Sequence, residues 1–168
     1  MLKYIEGDLF NNKFDTGNNI ITHITNNQQK WGAGFVIPLG RKYPKARNCY
    51  LNTYQPICTI QTISITPTLK IVNMCAQTLE KGERPLNYSH LVNCMNSVAT
   101  IQFPTKDLGL TIHAPLFGAG LAGGDWCFIQ ELIVDCWIKK GLDVRVYWLR
   151  DMLPPGISVY DMECFGER

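Results

Sequence analysis

Four glycines, Gly118, Gly120, Gly123 and Gly124, fall within seven residues and lead directly into an aspartate, Asp125. Glycine allows positive φ and lets backbone N–H groups approach an anion closely. A helix beginning at Asp125 would aim the positive end of its dipole at the same space. That combination is the chemistry of a phosphate cradle. The plainer alternative is a Gly-rich turn whose aspartate only caps a helix, a role for which Asp125 has the right residue type. A second, shorter glycine turn, Gly32-Ala33-Gly34 after Trp31, favours the cradle, because two such turns at one edge suit a diphosphate. Metal chemistry finds no support: His23, His90 and His113 are scattered, and none stands at a ligand spacing from a cysteine. The seven cysteines form an odd count without a C-x-x-C pair, so free and mostly buried thiols are expected.

The elements that must hold these turns follow from hydrophobic periodicity and turn residues. Strands are expected at 3–7, at Asn18 to Thr25 as a buried central strand, at Cys58 to Ile65, at Lys70 to Met74, at Leu110 to Ala114 and at Asp143 to Leu149. Thr66-Pro67-Thr68 marks a hairpin between the third and fourth of them. Helices are expected from Phe35, where Pro38 is tolerable in a first turn, and over 44–54, 87–103 and 125–139. A long polar loop fills 75–86, and the tail from Asp151, with Pro154, Pro155 and Gly156, wraps the surface. Strands alternating with helices imply an α/β domain with its sheet covered on both faces. In such sheets ligands gather beyond the carboxyl ends of the strands, and both glycine turns fall at that edge.

At 168 residues the chain reads as one domain over 1–168, with 151–168 packed on its surface and a full core without staples. Apolar residues at 46% and charged residues at 18% describe a globular protein, and a net charge of +2 is too small to argue for nucleic-acid or membrane partners. Neither a secretory leader nor an apolar run of spanning length is present in the sequence, so a cytoplasmic monomer is the expectation. The basic run from Arg41 to Arg47 reads as a solvated helix face.

Taken in order, Gly7-Asp8-Leu9-Phe10, Ile21-Thr22-His23, Trp31-Gly32-Ala33-Gly34-Phe35 and Pro115 to Trp126 resemble the macro domain. The resemblance covers about residues 1–150 and is greatest to the branch containing ADP-ribose-1″-phosphate phosphatases and terminal ADP-ribose protein glycohydrolases. It implies a three-layer α/β/α sandwich with a central mixed sheet, whose crevice binds ADP-ribose with neither metal nor cofactor. Carried over by position, it puts Asp8 on the adenine amino group with the Leu9 backbone beside it. The amides of Gly32, Ala33 and Gly34 fall by the distal ribose and diphosphate, those of Gly118, Ala119, Gly120 and Leu121 around the phosphates, and Asp125 near the distal ribose. Two departures stand out. The lysine that acts on the distal ribose in glycohydrolases of this branch is Gln77 here, with Lys81 four residues on, and the methionine common before Gly-x-Gly is Trp31.

If the chain is an enzyme, the resemblance implies hydrolysis at the distal ribose, removing a 1″-phosphate or cutting an ADP-ribosyl ester. Asp125 is the candidate for holding the water as general base, and His23 for its acid or base partner, since an unperturbed imidazole titrates near neutrality. His23 as a satisfied core histidine is the competing reading. Trp31 and Phe117 lid the ligand or staple the two loops to the body; His90 and His113 read as structural, and Cys75 and Cys127 as unactivated thiols. From another class, the competitor is a module that binds ADP-ribose or an ADP-ribosylated molecule without turnover, a reading favoured by Gln77.

Overall fold

The computed structural model describes residues 1–165, so the tail expected to reach 168 lies outside the described residues in its last three positions. Six strands form one mixed sheet: β1 (Leu2–Glu6), β2 (Asn18–Asn26), β3 (Thr59–Thr66), β4 (Leu69–Gln77), β5 (Leu110–Pro115) and β6 (Asp143–Trp148), in the spatial order β1-β6-β5-β2-β4-β3. All neighbours run parallel except β3, which pairs antiparallel with β4 at the edge through the hairpin. Parallel pairing leaves β1, β2, β4, β5 and β6 with their carboxyl ends on one edge of the sheet. The loops that follow them therefore share that edge.

Helices cover both faces. On one side lie α1 (Val36–Lys42) and α2 (Pro44–Asn52), packed through Leu39, Ala46 and Tyr50 against Ile21 and Ile71. On the other lie α3 (Tyr88–Val98) and α4 (Trp126–Cys136), packed through Leu91, Met95, Ile129 and Ile133 against Ile20, Val72 and Ile112. The period of two explains this division: Ile20 and Ile24 of β2 face the α3/α4 core, and Ile21 faces the other. The α/β/α sandwich with a central mixed sheet that the resemblance implies is the architecture found.

Element ends differ where local signals were weak. Helix α3 stops at Val98, well before Phe103, and α4 stops at Cys136, followed by a 3-10 turn, Ile138–Lys140, and by Gly141 at φ 81°. Strand β4 runs on to Gln77, where Gln77 bridges Leu86 and the Thr78 N–H donates to the Pro85 carbonyl at 2.9 Å. The polar loop is thus a closed-neck excursion over 78–86. The tail contains a helix, α5 (Val159–Phe165), which its sequence did not signal; Met162 is buried, and the Phe165 ring lies 5.2 Å from that of Tyr4.

Candidate functional site

Four loops meet beyond the carboxyl edge: 7–12 after β1, 27–35 after β2, 78–87 after β4 and 116–125 after β5. In the last of these, Gly118 sits at φ 79°, and a Cβ there would meet Ile24, Leu86 and Ile129 at 3.0–3.1 Å. A Cβ on Gly124 would fall 2.6 Å from the Gly118 carbonyl oxygen. These two glycines let the loop double back on itself, with the Gly124 N–H donating to the Gly118 carbonyl at 2.7 Å and the Gly123 N–H to Gly120 at 3.0 Å. The amides of Ala119, Gly120 and Leu121 donate to no acceptor among the described residues, and Gly120 and Leu121 are exposed. Such a row of unspent donors at the head of an eleven-residue helix is what an anion requires.

Asp125 is the N-cap of that helix: its Oδ1 accepts from the Cys127 N–H at 2.8 Å and from the Phe128 N–H at 3.5 Å. Its own N–H donates to the Tyr88 hydroxyl at 2.8 Å, which ties the loop to α3. Capping uses one carboxylate oxygen and leaves the other, on an exposed side chain, able to hold water.

The first glycine turn is shaped from below by Asn26, whose Oδ1 accepts from the Gln28 and Lys30 N–H groups at 3.0 and 3.1 Å and from the Tyr50 hydroxyl at 2.9 Å. Gly32, Ala33 and Gly34 are exposed, Gly34 adopts φ 73°, and none of their amides finds an acceptor among the described residues. At the other end Asp8 caps a 3-10 turn, Leu9–Asn11, accepting the Phe10 N–H at 2.9 Å. Leu9 is buried, so only its backbone is offered to a ligand.

The aromatic residues expected at the crevice turn inward. Trp31 is 9% exposed and packs on Tyr50 and His23, and Phe117 is 4% exposed between Trp126 and Trp137. Both rings are staples rather than lids, because each completes a core on its own face of the sheet. The expectation of His23 as a proton-transfer partner meets the same correction. Its ring is 2% exposed beneath Trp31 and Phe35, on the α1/α2 face, whereas Asp125 caps a helix on the opposite face. Burial lowers its pKa to about 4. Nε2 lies 2.6 Å from Asn73 Oδ1, and because Asn73 Nδ2 donates to Gln61, that oxygen accepts from a neutral Nε2–H tautomer. His113 is structural as expected, bridging Tyr147 and Asn19 at 2.9 Å each.

Gln77 stands in register beside Asn26 at the carboxyl end of β4. Lys81 is exposed on the 78–86 loop. Burial pushes the Cys75 thiol up to about 12. All seven cysteines are free, but Cys127 and Cys164 are exposed, against the expectation of mostly buried thiols. No helix among the described residues is long and apolar enough to cross a membrane, and no group of three or more metal-ligating side chains occurs among them.

Sequence reasoning missed a cavity that the loop after β4 encloses. A cavity of about 570 Å³ opens beside the glycine loop, lined by Asn27, Thr78, Arg84, Asn87 and His90 among others. No local signal marked it: Arg84 lies in the loop before α3, where the fold sets its guanidinium 4.1 Å from the centre of the Tyr88 ring.

The structure is thus an α/β/α sandwich with two glycine turns at the carboxyl edge of a mixed sheet. The chain has the fold of the macro domain. It is 26% identical over 140 residues to an ADP-ribose 1″-phosphate phosphatase of Candida albicans, a match spanning 75% of this chain and 87% of that protein. A macrodomain protein from Streptomyces coelicolor superposes with a TM-score of 0.72 at 26% identity, covering 88% of this chain and 99% of that one. A Bacteroides thetaiotaomicron protein of unknown function superposes with a TM-score of 0.77 at 30% identity, covering 88% and 97%. No family model matches the chain.

Proposed function

We propose that the chain binds ADP-ribose across the carboxyl edge and hydrolyses the group carried by its distal ribose, with ADP-ribose 1″-phosphate as the substrate. The observation that carries this reading is the pair of exposed glycine turns with unspent amides, one of them at the head of α4. The likeness to the Candida albicans phosphatase supports the choice of substrate. In this arrangement Asp8 accepts from the adenine amino group, the amides of 32–34 and 118–121 hold the diphosphate and distal ribose, and Asp125 orients a water with its second oxygen. Water adds to the phosphorus, the P–O bond to the ribose breaks, and inorganic phosphate and ADP-ribose leave. His23 takes no proton in this scheme; it fixes β2 to β4 beneath the first turn.

A binding module without turnover is the second reading, and Gln77 together with the buried His23 favours it. Incubation with ADP-ribose 1″-phosphate separates the two. Phosphate release abolished by Asp125→Asn is the expected result; tight ADP-ribose binding by calorimetry with no release from wild type would leave the module.

A further inference from the structure

The cavity beside the glycine loop has the wall of a ligand subsite. Three buried side-chain atoms that find no hydrogen-bond partner among the described residues, Asn27 Oδ1, Thr78 Oγ1 and His90 Nδ1, all belong to residues that line it. Buried polar atoms are nearly always partnered, so three orphans around one space mark a place for a polar occupant. They come from three elements, the loop after β2, the end of the β4 neck and the first turn of α3. Only the fold brings them together.

Arg84 supplies the charge. Its Nε–H donates to the Leu86 carbonyl at 2.9 Å, its guanidinium carbon lies 4.1 Å from the centre of the Tyr88 ring, and its stem passes 3.2 Å from where a Gly123 Cβ would stand. No carboxylate lies within ion-pair distance of it among the described residues, although Glu80 and Glu83 border the same cavity. The two terminal nitrogens are thus left as an oriented, uncompensated fork, the geometry that matches a phosphate through paired N–H bonds. The same segment is welded to the proposed site, since Leu86 N–H donates to the Ala122 carbonyl at 3.1 Å and Tyr88 receives the Asp125 N–H. The wall of the cavity formed by Leu86 is therefore continuous with the loop that ends at Asp125.

We infer that this cavity is the subsite for the group attached to the distal ribose, and that Arg84 makes it select a phosphate monoester over a neutral ester to a polypeptide. Rest here is on the ADP-ribose reading above, which the cavity deepens by naming the attached group. Thr78 and His90 add donors to the phosphate oxygens that Arg84 leaves, whereas Glu80 and Glu83, at exposed positions, weaken the hold on a dianion.

The test measures ADP-ribose binding by calorimetry, then inorganic phosphate binding to the ADP-ribose-saturated protein, for wild type, Arg84→Gln, Arg84→Lys and Glu83→Gln. Arg84→Gln should weaken phosphate binding at least tenfold and change ADP-ribose affinity less than twofold. Arg84→Lys, which keeps the charge without the fork, should fall between, and Glu83→Gln should tighten phosphate. In turnover, Arg84→Gln should raise KM for ADP-ribose 1″-phosphate with little change in kcat. Equal phosphate affinity in wild type and Arg84→Gln, or equal loss of both ligands, overturns the assignment while leaving ADP-ribose binding intact as a reading. If wild type binds no ADP-ribose, the functional reading fails instead. The subsite is then judged by titrating the free protein with phosphate: amide NMR shifts confined to 78–90 and lost in Arg84→Gln support it, and their absence overturns it.

Discussion

Burial holds the His23 imidazole at a pKa of about 4 against 6.5 when free, and that of His113 at about 3, so both rings are neutral in the folded chain at pH 7. A folded pKa below the unfolded one gives a contribution that is fully present above about 6.5 and is lost as pH falls toward 4. For His23 the whole span amounts to about 3 kcal/mol at ~1.4 kcal/mol per unit. Urea unfolding at pH 7 and pH 5 should show wild type losing stability on acidification and His23→Gln losing about 2 kcal/mol less. A wild type equally stable at both would contradict the neutral, buried ring. Asp125 gives the complementary case. Asp125→Ala removes a cap and should cost about 1 kcal/mol, while Asp125→Asn restores it. If the second oxygen holds the reacting water, both variants should nevertheless lose on the order of 10²–10⁴-fold in turnover, with ADP-ribose affinity little changed. Asp8 calls for the same pairing of variants, because its carboxylate also caps the turn at Leu9–Asn11. Asp8→Asn should keep the turn and still lose about 1–3 kcal/mol of ADP-ribose binding, with ribose-5-phosphate unaffected.

The glycine loop separates two jobs that one composition could not distinguish. Gly118 and Gly124 are required by the fold, one for its φ of 79° and the other because a Cβ would collide with a backbone oxygen at 2.6 Å. Gly120 has open space where a Cβ would stand and no positive φ. Gly124→Ala should therefore cost about 1–3 kcal/mol of stability by overpacking. Gly120→Val should leave the melting temperature within a degree or two and abolish ADP-ribose binding, since its branched side chain would fill the space the diphosphate needs. A folded Gly120→Val that binds normally would remove the phosphates from this loop.

Across the whole molecule, the tail closes the layer that α3 and α4 begin. Arg150 forks onto Glu6 at 2.8 Å through two nitrogens, and α5 sets Phe165 on Tyr4, whose hydroxyl in turn receives the Trp126 indole N–H at 3.1 Å. The ion pair is exposed and contributes little, so the docking of α5 rests on its apolar residues. Met162, 2% exposed, carries the buried apolar contact of α5, so Met162→Ala should destabilise by about 2–4 kcal/mol in chemical denaturation.

The order of strands and helices, the hairpin at Thr66 to Thr68 and the glycine turn at Gly118 to Gly124 were legible in the sequence, because periodicity and turn chemistry act over a few residues. So was the cap at Asp125, which needs only the helix that follows it. The ends of α3, α4 and β4 were not, since they depend on what the next element packs against. Neither was α5, whose short apolar stripe gains meaning only from Tyr4, far away in the chain. Which face His23 would occupy, whether Trp31 and Phe117 would lid a ligand or fill a core, and that Asn27, Thr78, Arg84 and His90 would share one cavity were decided by the strand order β1-β6-β5-β2-β4-β3. That order brings together residues whose separation along the chain carries no local signal, and burial then sets which of them meets water and which stays neutral and enclosed.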